Sequence, residues 1–141
     1  MQPGDISQVA AIEKEIFSIP WSEKSFADSL ESNDTIYIVA EEDGIIYGYC
    51  GIYLSFEIGN ISNVAVGEKY RKKGIATNMI AEMIKQAKFK DVTDITLEVR
   101  ETNVPAIRLY EKLGFKEEGI RKNFYEKPTE DALIFWKHDE K

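Results

Sequence analysis

The stretch VAVGEKYRKKGIATNMIAEMI, residues 64–84, joins a short apolar run to a long amphipathic run through a basic cluster. The apolar run ends at Val66, and the Arg-Lys-Lys cluster at 71–73 comes directly before Gly74. After this glycine, apolar side chains recur at helical spacing. The pattern predicts a strand that passes through a basic loop into a helix at about residues 72–89.

This strand-to-helix junction has the features of a small-anion site. The first turn of a helix carries backbone N–H groups without intrahelical partners and the positive end of the helix dipole. Gly74 lacks a Cβ atom and so lets an anion approach the backbone, while Arg71, Lys72 and Lys73 add long-range attraction. The spacing matches neither a P-loop nor a GxGxxG fingerprint. A solvated helix start with a flexible glycine is the alternative interpretation.

Composition limits the classes of protein to which the chain can belong. The chain has 141 residues, of which 43% are hydrophobic and 30% charged, and we expect one domain over residues 1–141. Its net charge of -7 argues against general nucleic-acid binding, which needs a basic face, and is compatible with a basic partner. No apolar run approaches the ~18 residues of a membrane span. We expect neither direct nucleic-acid binding nor membrane association, and a monomer or a weak dimer.

The N-terminus and the cysteine count bear on the compartment and on redox chemistry. MQPGDISQVA lacks the basic start and apolar centre of a signal peptide, so the cytoplasm is the expected compartment. The single cysteine, Cys50, excludes an intramolecular disulfide and a cysteine-rich zinc site, and we expect it to be a buried small hydrophobe. We expect no metal. The single histidine, His138, falls in the charged tail KHDEK, which argues against a catalytic triad that uses it.

The segments on either side of the junction predict an α+β domain. Helical periodicity, alternating apolar strands and turn residues give the element order ααβββαβαββ. This order favours a mixed sheet flanked by helices over a doubly wound parallel sheet. The residues expected to begin or end elements are Asp5, Ser22 and Asn103 as helix N-caps, Asp43-Gly44 as a hairpin turn, and Gly114 as the residue after a helix.

RKKGIA, residues 71–76, resembles the Q/R-x-x-G-x-G/A pyrophosphate loop of the GNAT superfamily of acyl-CoA-dependent N-acetyltransferases. PWSEKSF, SNVAV, LEVRETNVPAIRLYEKLGF, RKNFY and EDALIF resemble, in order, segments of its ribosomal-protein-alanine N-acetyltransferase (RimI) group. The resemblance implies the GNAT fold, a twisted mixed sheet flanked by helices and splayed between the family's fourth and fifth strands, here those ending at Val66 and Val99. Only four residues precede Asp5, so the family's first strand is expected to be short or absent.

The resemblance implies roles for residues at matching positions. The backbone of Val64, Ala65 and Val66 would hydrogen-bond the pantetheine arm and thioester of acetyl-CoA, which lies along the strand like an added strand. Glu98 matches the family's general base, and Tyr110 matches its general acid. The other implied cofactor contacts are Lys72, Lys73, Gly74, Ile75, Ala76 and Thr77 around the pyrophosphate, and Asn103 at the pantetheine region.

Two further segments are implied to lie near the acceptor. In the resembling group, PWSEKSF borders the acceptor groove, although Trp21 and Phe26 are residue types that more often pack helices. The last hairpin shapes the peptide channel, which makes Tyr125 and Glu126 weaker candidates for substrate contacts.

The implied reaction is direct acetyl transfer to a protein N-terminal amine, without an acyl-enzyme. The implied acceptor is the N-terminal alanine of ribosomal protein S18. An amine attacks a thioester only as the free base, and an α-amino group with a pKa of ~8 is partly neutral at pH 7, whereas lysine at ~10.4 is not. A modest base such as Glu98 therefore suffices, directly or through water, and Tyr110 can protonate the departing thiolate. A backbone N–H near residues 64–66 would polarise the thioester carbonyl.

Each of these roles has a structural alternative. Glu98 could be an exposed strand glutamate, Tyr110 could be a core residue at helical spacing from Ile107 and Leu113, and Asn103 could be only a cap. Two other functions stay open: the same chemistry on a small amine or lysine side chain, and an acyl-CoA-binding module without turnover. The presence of both Glu98 and Tyr110 argues against the second of these.

Overall fold

The computed structural model describes residues 1–17, 20–71, 73–126 and 128–138, without the side chains at positions 63 and 68. Within these ranges, the helices and strands follow the predicted order. The helices are α1 (Ile6–Ile16), α2 (Glu23–Glu31), α3 (Ile75–Phe89) and α4 (Val104–Lys112). The strands are β1 (Thr35–Glu42), β2 (Ile45–Ser55), β3 (Ile58–Val66), β4 (Asp94–Arg100), β5 (Lys116–Tyr125) and β6 (Glu130–His138). None of the helices in the described ranges has the length and apolarity needed to span a bilayer.

Local hydrogen bonds confirm most of the predicted element ends. Ser22 accepts the backbone N–H of Ser25 at the start of α2, and Asn103 Oδ1 accepts that of Ala106 at the start of α4. Each cap satisfies one of the N–H groups that a helix start leaves without a partner. Gly114 follows α4 with φ +96°, the left-handed conformation that ends many helices.

Asp5 lies at the predicted N-cap position but makes no side-chain capping bond, and the predicted start of α3 is wrong. The Asp5 carboxylate accepts the backbone N–H of Gln2 at 2.7 Å and so closes a short 3-10 turn over Pro3–Asp5, which leaves α1 without a side-chain cap. The helix after the basic cluster begins at Ile75 rather than near residue 72, because Gly74 adopts φ +76° and a left-handed residue cannot belong to a right-handed helix. No strand precedes α1 in the part of the chain that is described, which agrees with the expectation that the family's first strand is short or absent.

The sheet is mixed, as predicted, and it is split at one place. Its strand order is β1-β2-β3-β4-β6-β5, with β3 and β4 parallel and the other neighbours antiparallel. The β3–β4 pairing covers residues 58–61 against 94–97 and ends at Ile61 and Leu97. Beyond that pair the two strands part, at the predicted position. One apolar cluster packs α3 against the sheet and includes Tyr110 of α4, and a second packs α1 and α2 against β1–β3.

A β-bulge lies where the sheet splits. The β2–β3 register shifts between Gly51 and Ile52 and leaves Ser62 as the extra residue of β3. The buried Tyr37 side chain hydrogen-bonds Ser62 from β1. Its ring lies directly over Gly51, where an added Cβ atom would come within 2.3 Å of a ring carbon. Because Gly51 has no side chain, the Tyr37 ring can pass over it and reach the bulge.

We expect Gly51→Ala to lower the free energy of unfolding by about 1–3 kcal/mol, because the added methyl group overlaps the Tyr37 ring in a packed core. Urea denaturation measures the loss. Gly119→Ala on β5 is the matched control: its nearest neighbour would be an Ile134 carbon at 3.4 Å, an ordinary contact, so we expect a change within about 0.5 kcal/mol. Equal losses of stability in the two variants would contradict the close packing of the Tyr37 ring on Gly51.

Candidate active site

The parting of β3 and β4 opens a cavity of about 750 Å³. Its walls come from both separated strands, the end of α1 with the residues that follow it, the start of α4, and the β5–β6 connection. Glu98 of β4 and Tyr110 of α4, the two predicted catalytic residues, both line it. So do Val64 and Asn103 from the predicted cofactor set. Residues far apart in sequence are thus brought to one concave site, which is where ligands usually bind.

Glu98 points away from the core and into this cavity. Its strand neighbours Leu97 and Val99 are buried on the opposite face, whereas the Glu98 side chain keeps 21% of its surface exposed. Arg121 of β5 donates from Nη1 to Glu98 Oε1 at 3.2 Å. The carboxylate is therefore held in a partly buried ion pair at the cavity surface, which differs from a freely solvated strand glutamate.

Tyr110 is both a core residue and a cavity residue. It is 7% exposed, and its ring packs against Phe115 and Phe135 at centroid distances of 5.9 Å and 6.4 Å. Burial, followed by the nearby Tyr125 and Cys50, raises the pKa of Tyr110 well above its ordinary value of 10.0. The phenol stays protonated throughout the physiological range and is available as a proton donor.

Arg100, at the end of β4, holds the cavity wall that the β5–β6 connection forms. Its guanidinium group lies 4.5 Å from the Tyr125 ring centroid, donates to the Glu126 carbonyl at 3.0 Å and pairs with Glu130 at 3.2 Å. Burial raises the pKa of Tyr125 to about 12, with Glu98 adding to the shift and Arg100 opposing it. Tyr125 and Glu126 line the cavity, so the last hairpin does reach the site.

The predicted anion loop lies at the start of α3. Gly74 is its N-cap residue, and an added Cβ atom there would meet no atom within 4 Å. The first turn of α3, residues 75–77, supplies the backbone N–H groups that lack intrahelical acceptors. Lys73 is exposed beside it. Lys72, also predicted to contact the pyrophosphate, lies outside the described residues.

The edge of β3 connects this loop to the cavity. Val64, Ala65 and Val66 pair with β2 on one side, but the ladder to β4 has already ended at Ile61. Arg71 Nε donates to the Val66 carbonyl at 3.2 Å and ties the loop to the end of the strand. An open strand edge, an uncrowded glycine and a helix start fit the amide-rich arm and diphosphate of acetyl-CoA.

One of three further residues, His138, lies in a different setting from the one expected, whereas Trp21 and Cys50 lie as expected. His138 is not in a free tail: it ends β6 and pairs with Asp94 at 2.5 Å and Glu118 at 2.9 Å, and it does not line the cavity. Trp21 both packs on Phe26 and lines the cavity. Cys50 is fully buried, as predicted, and burial raises the pKa of its thiol to about 12.

Sequence reasoning missed three charged residues of the site: Glu13, Arg100 and Glu130. Glu13 is 2% exposed and lines the cavity from α1. It stands four residues after Val9, one of the apolar residues that define the buried face of that helix. A carboxylate at an apolar position of a helical pattern was the signal that could have identified it.

Comparison with known proteins agrees with this geometry. The model of the Acetyltransferase (GNAT) family matches residues 6–115. A protein of Bacillus subtilis (strain 168) named "Putative ribosomal protein bS18-alanine N-acetyltransferase" is 39% identical over 137 residues, which cover 96% of this chain and 91% of the relative. The Escherichia coli (strain K12) ribosomal protein bS18-alanine N-acetyltransferase is 30% identical over 138 residues, with coverages of 95% and 91%.

The fold agrees equally well with a solved structure. The crystal structure of the ribosomal-protein-S18-alanine N-acetyltransferase from Escherichia coli superposes with a TM-score of 0.91 at 28% sequence identity, covering 100% of this chain and 92% of the other. The chain belongs to the GNAT family of acetyltransferases and is an acetyl-CoA-dependent N-acetyltransferase.

Proposed function

We propose that this enzyme, as one catalytic domain over residues 1–141, acetylates the N-terminal α-amine of a protein in the cytoplasm. We propose the N-terminal alanine of ribosomal protein S18 as the acceptor. The observation that carries the proposal is the meeting of Glu98 and Tyr110 in one cavity at the break between β3 and β4. The names of the Bacillus subtilis and Escherichia coli relatives support the choice of acceptor.

The proposed cofactor site follows the open edge of β3. Backbone groups of Val64, Ala65 and Val66 hold the amide-rich arm of acetyl-CoA, and Asn103 contributes from the cavity wall while it caps α4. When bound, acetyl-CoA supplies the activated thioester. The proposed diphosphate contacts are Lys72, Lys73, Gly74, Ile75, Ala76 and Thr77, at the loop and first turn of α3.

The proposed proton transfers use the two groups that face the cavity. Glu98 accepts the proton of the amine, directly or through water, and its Oε2 is the oxygen left for this when Arg121 holds Oε1. Tyr110 donates its hydroxyl proton to the departing thiolate. A backbone N–H of residues 64–66 polarises the carbonyl that the amine attacks. The acetyl group passes directly between the two substrates.

The charge of the enzyme favours a cationic acceptor. The net charge is -7, and carboxylates at Glu98, Glu126 and Glu130 line the cavity. Of the two arginines nearest to them, Arg100 pairs with Glu130 and Arg121 with Glu98. A basic N-terminal segment therefore meets a complementary surface, which favours encounter and orientation.

We expect the enzyme to acetylate peptides with a free N-terminus and to leave matched peptides with a blocked N-terminus and an internal lysine unmodified. The S18 N-terminal peptide is the lead substrate, with variants of its first residue beside it. Mass spectrometry locates the acetyl group. Acetylation of lysine or of a small amine instead would contradict the proposed acceptor and favour the same chemistry on another amine.

The pH dependence of kcat/KM is a second test of which amine is the acceptor. We expect kcat/KM to rise up to about pH 8 and then level off, because a neutral α-amine with a pKa of ~8 is required. Burial raises the pKa of Tyr110, so its acidic form persists and no alkaline decline is expected below about pH 10. Initial rates at limiting acceptor from pH 6 to about 10 measure the profile. A continued rise towards ~10.4 would indicate a lysine acceptor.

We expect Tyr110→Phe to lower kcat by about 100-fold while acetyl-CoA affinity is retained, because the substitution removes the proton donor and leaves the packing of the ring in place. Steady-state kinetics and calorimetric titration with acetyl-CoA measure the two effects. Tyr53→Phe, at a residue that is 50% exposed and outside the cavity lining, is the matched control. Unchanged turnover in Tyr110→Phe would remove this residue as the acid.

We expect Gly74→Val to weaken acetyl-CoA binding by at least about tenfold. The side chain fills the open space above the helix start, and a β-branched residue is strained at φ +76°. Titration with acetyl-CoA gives the dissociation constant. Gly4→Ala, at a glycine that also has no atom within 4 Å of an added Cβ, controls for loss of a glycine alone.

A further inference from the structure

Glu13 is the one carboxylate in the described ranges that folding removes almost completely from solvent. It lies near the end of α1 and lines the cavity that also holds Glu98 and Tyr110. A buried carboxylate is destabilising unless hydrogen-bond donors meet it. The proposed reaction does not use Glu13, since Glu98 and Tyr110 account for both proton transfers.

Two donors from different elements satisfy Glu13. The hydroxyl of Tyr49, a fully buried residue of β2, donates to Oε1. The backbone N–H of Trp21, in the connection between α1 and α2, donates to Oε2 at 3.0 Å. Each carboxylate oxygen thus accepts one hydrogen bond, and the bridge attaches the α1–α2 connection to the centre of the sheet.

Aromatic packing holds the same connection. The Trp21 ring lies 5.4 Å from the Phe26 ring, and Phe26 packs edge-on against Tyr49 at 5.5 Å. Trp21 itself is 37% exposed and lines the cavity together with Phe17. Phe17 and Trp21 therefore form part of the cavity wall, and Trp21 is fixed by its hydrogen bond to Glu13 and by its packing on Phe26.

We propose that Glu13 is a positioning residue for the acceptor: through Trp21 it fixes the cavity wall formed by Phe17 and Trp21, and so governs the affinity for the N-terminal residue of the acceptor. This inference rests on the proposed function, in which the acceptor enters this cavity. It concerns the acceptor rather than acetyl-CoA, because neither partner of Glu13 belongs to the β3 edge or to the start of α3.

The test compares Glu13→Ala with Glu13→Gln. We expect Glu13→Ala to raise the acceptor KM by about tenfold, as for the loss of a hydrogen bond to a charged group, while kcat and the acetyl-CoA KM stay within about threefold. Glu13→Gln is expected to restore the acceptor KM. Its Oε1 still accepts from Trp21 N–H, and the Tyr49 hydroxyl can rotate to accept from its Nε2. Glu15→Ala, at an exposed position of the same helix, is the matched control.

The outcomes separate positioning from other roles. A fall in kcat with an unchanged acceptor KM in Glu13→Ala would overturn the proposal, because it would report only less active enzyme. Equal impairment of Glu13→Gln and Glu13→Ala would also overturn it, because the charge and not the wall would then matter. If Glu13→Ala does not fold, Tyr49→Phe takes its place, because it removes only one of the two hydrogen-bond donors to Glu13. We expect Tyr49→Phe to raise the acceptor KM by a smaller factor.

Failure of the proposed function gives a different result. In that case the wild-type enzyme acetylates an amine other than a protein N-terminus. The contrast in KM between Glu13→Ala and Glu13→Gln, measured with that amine, still decides the role of Glu13.

Discussion

The site depends on one break in backbone pairing. β3 and β4 run parallel and in register as far as Ile61 and Leu97, and then they part. Inside a sheet, such a break leaves the peptide groups of both strands without ladder partners, and buried peptide groups need partners. Residues 64–66 of β3 therefore have no ladder partner on the β4 side, where Arg71 binds the Val66 carbonyl. Glu98, which follows directly after the last pair on β4, lines the cavity together with Val64. The proposed cofactor-binding edge and the proposed base both result from this one break in pairing.

Several contacts keep the two strands apart. On the β3 side, the bulge at Ser62 bends the strand, and Tyr37 holds the bulge from β1 by a hydrogen bond. On the β4 side, Arg100 binds the β5–β6 connection through a carbonyl oxygen and the Glu130 carboxylate, and Thr102 donates to the same carboxylate. Each strand is thus fixed to its own neighbours.

The parts of this structure that the sequence predicts are those determined by near neighbours in the chain. Ser22 and Asn103 cap helices through N–H groups three residues away, and the turn at Asp43-Gly44 has positive φ at both residues. The sequence pattern predicts too early a start for α3, because basic residues are good helix formers, whereas the left-handed Gly74 precludes helix before Ile75. The contacts that shape the cavity join distant residues: Glu13 with Tyr49 across 36 positions, and Arg121 with Glu98 across 23. No periodicity or motif spacing encodes such pairs, so the residue types could be found but their partners could not.

The proposed acid and base differ because their environments differ. Tyr110 is surrounded by Phe115, Phe135 and other apolar side chains, where burial favours the uncharged phenol. Glu98 keeps part of its surface open and pairs with the guanidinium group of Arg121. In the proposed mechanism, Tyr110 supplies a proton and a Glu98 oxygen accepts one. Because Glu98 is on a strand and Tyr110 is on a helix, each is held by a rigid element, and their separation is determined by how α4 packs on the sheet.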